Sequence, residues 1–391
     1  MDFPLDFRSA VRDWWHAVPL GIAEHRVLSF LPFYPAPDDS RQAESLMVEL
    51  TPGRSMNEFQ ITRTTSEPVT DELVVLHGYG AGLAFFYRNL DSLSSIPGLR
   101  VHALDFLGYG RSSRPRFRIQ AKTKLDAVVE SESWFVDSLE EWRLKRGIDR
   151  FTLMAHSMGG YLGVAYALKH PDRVKKLVLV SPVGVPRNPW PEHDDTLPVS
   201  AITTELTQSQ EQATQVSSSN SSALSSSSSS SSSSVNRRAM PKWLVFLWER
   251  HVSPFSFVRF TGPFGQQLVA LWTSHRFSML PMNEARALHD YVYSLFSMKG
   301  SGEYAITRML APGAYARMAL IDRIQNLKIP TLWMYGERDW MDVHAGRQAR
   351  DLIRANGTKS ELVVVPRSGH HLYLDNPDEF NRIVKQELQK S

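Results

Sequence analysis

Cysteine is absent from the 391 residues of this chain. The absence excludes a disulfide framework, a thiol nucleophile and a thiolate zinc site. It fits an intracellular protein, although secreted proteins can also lack cysteine. No apolar run reaches the roughly 18 residues that span a bilayer. The N-terminal residues, with Asp2, Asp6 and Asp13, match neither a signal peptide nor a mitochondrial transit peptide, so no organelle address is visible.

An excess of charge of one sign is also absent. The 44 lysines and arginines nearly balance the 41 aspartates and glutamates, which leaves a formal charge of +3. This balance does not favour a nucleic-acid partner. Neither a G-X-Y period nor a sustained heptad is present, which excludes collagen-like and coiled-coil rods. The length fits one large α/β domain with an insertion, or two domains.

Residues 1–40 are predicted to form an amphipathic N-terminal segment of one or two helices, because apolar residues recur there at helical spacing. These residues are Phe7, Val11, Trp14, Trp15 and Val18. The helices either pack on the core or anchor the protein at a membrane surface, where tryptophan is favoured. The sequence leaves both possibilities open.

Residues 41–183 and 301–391 alternate strands with helices, which predicts an α/β core in two parts with a mostly parallel central sheet flanked by helices. Residues 46–50 and 59–62 are predicted to form an antiparallel pair at the edge of the sheet. The predicted buried strands are 73–76, 101–104, 151–155, 177–180, 331–335 and 362–365.

Residues 184–300 interrupt this alternation and are predicted to form an inserted lid. Within the lid, residues 217–234 are almost pure serine, a composition that predicts a disordered loop. An apolar and aromatic stretch with basic flanks follows, and it contains Lys242, Trp243–Trp248, Arg250, Phe255, Phe257, Arg259 and Phe260. Such a mixture suits a membrane headgroup layer, or the aromatic side chains pack the lid on the core.

The string Ala155-His156-Ser157-Met158-Gly159 lies between a predicted strand and a predicted helix. This is the context of a nucleophile elbow, the strained G-x-S-x-G turn that exposes a serine at the top of a sheet. Small residues are needed on both sides because the strand and the helix approach closely, and Ala155 is the smallest alternative to glycine. Ser157 is therefore the candidate nucleophile. The alternative is a serine that merely caps the following helix.

A serine nucleophile needs a histidine base that is oriented by a carboxylate. With this type of elbow the chain order is serine, acid, histidine. His370 follows the last predicted strand, directly after the glycine of an S-G-H turn, and is favoured over its neighbour His371. Asp339, in the loop after the preceding strand, is the favoured acid, and Asp342 in the same loop is the alternative.

An oxyanion hole needs two backbone N–H donors aimed at the developing negative charge. We predict the N–H groups of Met158, directly after the nucleophile, and of Tyr79, in the loop His77-Gly78-Tyr79-Gly80. A phosphate-binding loop is the other interpretation of this stretch, but it lacks the Walker lysine and the G-x-G-x-x-G spacing. No metal and no organic cofactor is predicted.

Two further patterns concern lipids. Basic residues are concentrated from Arg111 to Lys124 without a carboxylate, and Arg111, Arg114 and Arg116 are candidates for binding a lipid phosphate. The alternative is a solvated charged face. His370 and Asp375 also form an H-x-x-x-x-D string, a pattern associated with glycerolipid acyltransferases. The alternative for Asp375 is the start of the last helix, because a proline and acidic residues follow it.

Taken together, these motifs resemble the phospholipase and lipase-co-activator branch of the α/β-hydrolase family, which includes fungal cardiolipin deacylases, N-acyl-phospholipid lipases and the adipose lipase co-activator. The matching strings are HGYGAG at 77–82, DFLGYGRSSRP at 105–115, HSMGG at 156–160, GSGE at 300–303 and GHHLYLD at 369–375. The resemblance implies the α/β-hydrolase fold. Because the co-activator has lost its nucleophile and Ser157 is present here, the resemblance favours an active enzyme.

We therefore expect a serine hydrolase that deacylates membrane glycerophospholipids through an acyl-enzyme at Ser157. The resemblance points to cardiolipin or a related anionic phospholipid. The expected partners are the phospholipid and a peripherally bound membrane, in mitochondria if cardiolipin is the substrate and otherwise in the cytoplasm or on lipid droplets. Two alternatives stay open: a lysophospholipid acyltransferase that uses His370 and Asp375, and a non-catalytic adaptor at a lipid surface.

Overall fold

An eight-stranded sheet forms the centre of the protein. The computed structural model describes residues 3, 6–64, 68–189 and 242–390. The strands are β1 Arg41–Glu49, β2 Ser55–Arg63, β3 Asp71–Leu76, β4 Leu99–Leu104, β5 Phe151–His156, β6 Val174–Val180, β7 Thr331–Gly336 and β8 Ser360–Val365. In space they follow the order β1-β2-β4-β3-β5-β6-β7-β8.

The strand directions confirm the predicted mostly parallel sheet. β2 pairs antiparallel with β1 and with β4, and the other neighbours pair in parallel. Residues 73–76 and 151–156 are buried at every position, as expected of strands that are covered on both faces. β1 alternates between partly buried and exposed residues, which suits an edge strand. The six predicted buried strands are all present, each one to three residues longer than predicted.

Helices cover both faces of the sheet. They are α1 Phe7–Trp15, α2 Leu20–Leu28, α3 Tyr87–Ser94, α4 Lys124–Lys145, α5 Met158–Lys169, α6 Lys242–Glu249, α7 Phe255–Phe260, α8 Pro263–Arg276, α9 Met282–Ser297, α10 Ile306–Met309, α11 Val343–Ala355, α12 Leu372–Asp375 and α13 Pro377–Leu388. Short 3-10 turns lie at Leu83–Phe86, Pro171–Arg173, Gly302–Ala305, Leu320–Asp322 and Ile324–Asn326. Successive strand residues point to opposite faces, so Val75 and Val178 belong to one apolar core and Val74 and Leu177 to the other.

The two N-terminal helices pack differently. α2 lies against α9 and buries Ala23 and Val27. α1 lies against α8, where the rings of Phe7 and Phe264 are 5.0 Å apart, but Trp15 stays 74% exposed. Packing on the core therefore describes α2, whereas α1 presents tryptophan to the surface.

A buried polar network also holds α2 in place. The carboxylate of Glu24 accepts hydrogen bonds from Asn57 Nδ2 at 3.1 and 3.2 Å and from Arg111 Nη1 at 2.9 Å. Burial and the nearby Asp105 raise the pKa of Glu24 to about 8. The network connects α2 to β2 and to the loop that follows β4.

Helices α6 to α9 lie between β6 and β7 in the chain, and their side chains extend over the carboxyl ends of the strands. This position fits the predicted lid, whose boundaries at residues 184 and 300 stay a prediction. The serine-rich tract at 217–234 lies outside the described residues, as do the side chains of Lys242 and Trp243. Over the part of the chain that the structure describes, no helix is long and apolar enough to cross a membrane.

His102 on β4 lies between two carboxylates and should make stability depend on pH. Its Nδ1 is 2.6 Å from Glu58 Oε1, and its Nε2 is 2.9 Å from Glu72 Oε2. Burial alone would lower the pKa of His102, but the hydrogen bonds to Glu58 and Glu72 raise it above its usual value. The stabilisation by this cation is full below the unfolded-state pKa of about 6.5. It is lost as the pH rises through the higher folded-state pKa.

We expect His102→Gln to lower the free energy of unfolding by about 3 kcal/mol near pH 6. The loss should be smaller near pH 9, because the stabilisation by protonated His102 declines as the pH rises above the unfolded-state pKa. Urea unfolding at the two pH values measures the difference. His289→Gln is the matched control, since burial lowers the pKa of His289 to about 3 and this histidine is neutral at both. An equal loss for His102→Gln at both pH values would contradict a charged His102.

Candidate active site

The carboxyl ends of three strands bring Ser157, Asp339 and His370 together. Ser157 follows β5, Asp339 lies in the loop after β7, and His370 lies in the loop after β8. These strands are parallel, so their carboxyl ends meet at one edge of the sheet, where ligand sites of open α/β sheets lie.

The backbone at Ser157 is folded as the predicted elbow requires. Its φ of 54° and ψ of −116° are unusual for a residue with a side chain and cost of order 1–3 kcal/mol. A Cβ at Gly159 would lie 2.5 Å from the carbonyl oxygen of His77, so this position needs glycine. Ala155 is accommodated on the strand side because it faces Gly163.

A chain of hydrogen bonds links the three side chains. Ser157 Oγ lies 3.0 Å from His370 Nε2, and His370 Nδ1 lies 3.3 Å from Asp339 Oδ1. Burial alone would raise the pKa of Asp339, but the hydrogen bond and charge attraction of His370 lower it below its usual value. Asp339 is thus an ionised acceptor, able to orient the imidazole and to stabilise it after it takes a proton from Ser157.

Asp342, the alternative acid, and His371, the alternative base, make other contacts. The carboxylate of Asp342 caps α11 and accepts from the N–H groups of His344 at 2.8 Å and Ala345 at 3.0 Å. His371 Nδ1 lies 3.3 Å from Arg276 Nε. The geometry therefore aligns Asp339 and His370 with Ser157, in preference to Asp342 and His371.

The glycine-rich loop after β3 lies directly against the nucleophile. A Cβ at Gly78 would lie 3.0 Å from Ser157 Cβ, so glycine is what permits this approach. Among the described residues, the N–H groups of Tyr79 and Met158 donate to no backbone carbonyl. Both amides can therefore donate to a carbonyl oxygen bound at Ser157, as an oxyanion hole requires.

An apolar cavity of about 170 Å³ lies beside Ser157. Helices α6 to α9 supply aromatic and aliphatic side chains to its lining, including Trp248, Phe255, Phe257, Leu268, Trp272 and Phe296. Within the described ranges, no lysine, arginine or carboxylate lines the cavity. The same ranges contain no group of three His, Asp or Glu residues that could hold a metal ion. The lining suits an acyl chain better than a charged group.

Two further side chains contact the site without having been predicted. Ser181, directly after β6, donates to Asp339 Oδ2 at 2.6 Å. The ring of Trp340 lies 4.9 Å from that of His370. The place of Ser181 at a strand's carboxyl end was a usable signal, because polar residues at these ends converge. The contact of Trp340 depends on how its loop packs, which the sequence does not show.

The arginines that were predicted to bind a lipid phosphate do not line the cavity. Arg111 pairs with the buried Glu24, and Arg114 donates to three backbone carbonyl oxygens, two at 2.9 Å and one at 3.1 Å. Arg116 is exposed. Phosphate binding by these residues stays a prediction, and the internal hydrogen bonds of Arg111 and Arg114 weigh against it.

Asp375 connects the histidine loop to the helices above it. Its Oδ2 accepts the N–H of Gly369 at 2.9 Å, and its Oδ1 accepts from Arg276 Nη1 at 2.9 Å. The side-chain cap of α13 is the neighbouring Asn376. Asp375 therefore fixes the loop that carries His370 and ties it to α8, a contact that explains its spacing from the histidine without a catalytic role.

Comparisons with known proteins agree with this fold. Residues 72–208 match the family of the α/β-hydrolase fold. The structure resembles a putative hydrolase of Bacillus subtilis with a TM-score of 0.57 and 15% identity, over 95% of this chain and 98% of that one. It resembles an esterase from Exiguobacterium antarcticum with a TM-score of 0.54 and 17% identity, over 89% and 100%. At these identities the likeness shows the fold alone.

Sequence relatives carry names from lipid chemistry. A probable 1-acylglycerol-3-phosphate O-acyltransferase of Oryza sativa subsp. japonica is 35% identical over 327 residues, which cover 82% of this chain and 67% of that protein. Human 1-acylglycerol-3-phosphate O-acyltransferase ABHD5 is 31% identical, over 80% of this chain and 76% of that protein. A (lyso)-N-acylphosphatidylethanolamine lipase of Bos taurus is 30% identical, over 83% and 82%. The chain spans about two thirds of the rice relative and 65% of an Arabidopsis thaliana one.

Asp339→Asn should lower the rate of p-nitrophenyl ester hydrolysis about 10³–10⁴-fold, because asparagine cannot stabilise the imidazolium form of His370. Asp342→Asn is the matched control from the same loop. Asparagine caps helices as well as aspartate does, so this variant should keep a rate close to that of the wild type. Steady-state kinetics of the purified variants measures both. The reverse pattern would move the acid to Asp342.

Proposed function

Because the chain belongs to the α/β-hydrolase family, in its branch of lipases and lipase co-activators, we propose that it is a serine hydrolase that deacylates membrane glycerophospholipids. The observation that carries the proposal is the chain of hydrogen bonds from Ser157 through His370 to Asp339, which ends beside an apolar cavity. A non-catalytic adaptor would not require a buried, ionised carboxylate that is linked to a serine through a histidine.

In the acylation step, His370 Nε2 takes the proton of Ser157 Oγ as this oxygen attacks the acyl carbon of the lipid. The carbonyl oxygen becomes an oxyanion, which accepts hydrogen bonds from the N–H groups of Tyr79 and Met158. The ester C–O bond breaks, and the lysolipid oxygen leaves with the proton from His370. Water then attacks the acyl-enzyme by the same steps and releases a fatty acid and Ser157.

The lining of the cavity favours an acyl chain as the part of the lipid that enters the protein, with the phosphate left at the mouth. Cardiolipin or a related anionic phospholipid is the proposed substrate, on the strength of the family resemblance. Exposed Arg8, Arg12 and Arg250 would attract an anionic surface, each adding about 1 kcal/mol. Cardiolipin would place the protein at mitochondrial membranes, and another glycerophospholipid would place it in the cytoplasm or on lipid droplets.

An exposed apolar surface adjoins the cavity, and we call it the apolar rim. It consists of Trp14, Trp15, Phe257, Phe260, Phe264 and Leu268. Phe257 and Leu268 also line the cavity, so the rim and the cavity are continuous. Exposed aromatic side chains near basic residues are typical of proteins that insert into a headgroup layer. With the membrane at the rim, an acyl chain moves from the bilayer to Ser157 without crossing water.

Ser157→Ala should abolish deacylation, because the substitution removes the nucleophilic hydroxyl. Folding should stay intact, because the rest of the side chain and the backbone are kept. Liposomes of cardiolipin, phosphatidylethanolamine or phosphatidylcholine are incubated with each protein, and mass spectrometry follows the lysolipid and fatty acid. Lipid hydrolysis by Ser157→Ala at the wild-type rate would refute the assignment. A wild-type protein that hydrolyses no lipid and binds no fluorophosphonate would favour the adaptor.

The acyltransferase alternative has specific support in the names of the rice and animal relatives. In the same site, the acyl-enzyme can pass its acyl group to a lysophospholipid hydroxyl instead of water. Adding lysophosphatidic acid to the liposome assay separates the outcomes, because transfer yields phosphatidic acid and hydrolysis yields fatty acid. A transferase that relies on His370 and Asp375 without the serine would make phosphatidic acid from acyl-CoA even in Ser157→Ala.

Phe260→Glu should weaken binding to cardiolipin-containing liposomes about tenfold or more, because Phe260 is 86% exposed in the rim and burying such a ring is worth about 1.5–3 kcal/mol. Leu144→Glu is the matched control. Leu144 is also exposed, at 63%, but it lies near the end of α4, where the chain turns toward the amino end of β5. Co-sedimentation at low and high salt measures the binding.

Equal binding by wild type and Phe260→Glu would contradict the rim as the docking surface. Wild-type binding that is equal on cardiolipin and phosphatidylcholine liposomes, and insensitive to salt, would instead contradict the anionic preference.

A further inference from the structure

Ser181 follows β6 directly, and β6 lies between β5 and β7 in the sheet. The loop after β5 carries Ser157 and the loop after β7 carries Asp339, so the end of β6 lies between them. The backbone at the end of β6 is hydrogen-bonded toward both neighbouring strands, β5 and β7. The Ser157 N–H donates to the carbonyl of Val180 at 2.9 Å, and the Ser181 N–H donates to the carbonyl of Met334 at 2.7 Å. Ser181 is fully buried at this junction.

The hydroxyl of Ser181 contacts two members of the site. Ser181 Oγ lies 2.6 Å from Asp339 Oδ2 and 2.7 Å from His370 Nδ1. The direct distance from His370 Nδ1 to Asp339 Oδ1 is 3.3 Å. The hydroxyl is therefore nearer to the imidazole than the carboxylate is. The backbone N–H groups of Gly336 and Met341 hold the same carboxylate, at 3.3 and 3.1 Å.

The count of protons fixes the direction of these bonds. An ionised Asp339 can only accept, so the single hydroxyl proton of Ser181 points to Asp339 Oδ2. Ser181 Oγ then presents a lone pair to His370 Nδ1, and Nδ1 must carry a proton. This leaves Nε2 with its lone pair toward Ser157, which is the tautomer that a general base needs.

We propose that Ser181 is a positioning residue, which relays the hydrogen bond between His370 and Asp339 and holds His370 in the tautomer that accepts the proton of Ser157. The proposal rests on the serine-hydrolase function and adds a residue to its machinery. Ser181 keeps its own proton throughout. The proton that moves travels from Ser157 Oγ to His370 Nε2 and on to the leaving oxygen.

The backbone of Ser181 allows a positioning role to be separated from a structural one. Its φ is 46°, in the left-handed region that glycine adopts more readily than serine. Ser181→Gly would therefore relieve the backbone and remove the hydroxyl at the same time. The relief of the backbone offsets part of the lost hydrogen bonding, so stability should change little in this variant while kcat falls. The loss of a merely structural side chain would lower stability and leave the kcat of the folded protein unchanged.

The test uses the full-length protein and compares Ser181→Gly and Ser181→Ala with the wild type in p-nitrophenyl ester hydrolysis. We expect kcat to fall about 10- to 100-fold, the effect of losing one or two oriented hydrogen bonds, with KM close to the wild-type value. The downfield Nδ1–H resonance of His370 in proton NMR should shift or disappear. Ser131→Ala is the control, because Ser131 is equally buried and its hydroxyl donates to the carbonyl of Ala127 in α4 at 2.6 Å.

Combination with Asp339→Asn tests whether Ser181 acts through this carboxylate. If it does, Ser181→Gly in the Asp339→Asn background should cost little further activity. Losses that multiply would overturn the proposal, as would Ser181→Gly with wild-type kcat and an unchanged Nδ1–H resonance. A wild-type protein that hydrolyses no ester and binds no fluorophosphonate would overturn the hydrolase function itself. An active wild-type protein whose Ser181 variants keep full activity would overturn only the role of Ser181.

Discussion

Parallel strands that end at one edge of a sheet bring together residues that are far apart in sequence, and here β5, β6, β7 and β8 lie side by side. Each contributes one polar group at its carboxyl end: Ser157, Ser181, Asp339 and His370. A strand order that moved β5 away from β7 and β8 would separate the nucleophile from its acid and its base. The long insertion between β6 and β7 leaves their pairing intact, from Leu177 opposite Thr331 onward, because the entropy of closing a loop grows slowly with its length. The insertion can therefore supply the wall of the cavity without disturbing the site.

Burial opposes the charge that the site needs, and the surroundings of Asp339 overcome this opposition. Its two oxygens accept from His370, Ser181 and two backbone N–H groups, and the pKa of Asp339 is lowered. Glu24 shows the opposite result in the same protein. It accepts from Asn57 and Arg111, but burial and the neighbouring Asp105 raise its pKa to about 8. The larger number of donors at Asp339, and the second carboxylate beside Glu24, account for the two outcomes.

Much of the fold and the core of the site could be predicted because the signals are local. The strand runs are continuous and apolar, and the elbow around Ser157 and the turn before His370 each lie within a few residues. Ser181 gave no local signal beyond its place after a strand, since its partners are 158 and 189 residues away. The contact of Arg111 with Glu24, 87 residues away, could not be predicted, because the burial of Glu24 on an N-terminal helix is not visible in the sequence. Pairing across the fold is set by packing, which composition and spacing do not encode.

The central claim is that Ser157 carries the acyl group of a glycerophospholipid during turnover. The most direct measurement is mass spectrometry of the Ser157 peptide after the protein is mixed with phospholipid liposomes and quenched in acid before deacylation is complete. The account predicts that this peptide gains the mass of one fatty acyl chain, joined by an ester, in proportion to the lysolipid formed. Lipid turnover with an unmodified Ser157 peptide, or with the acyl group on another residue, would contradict it.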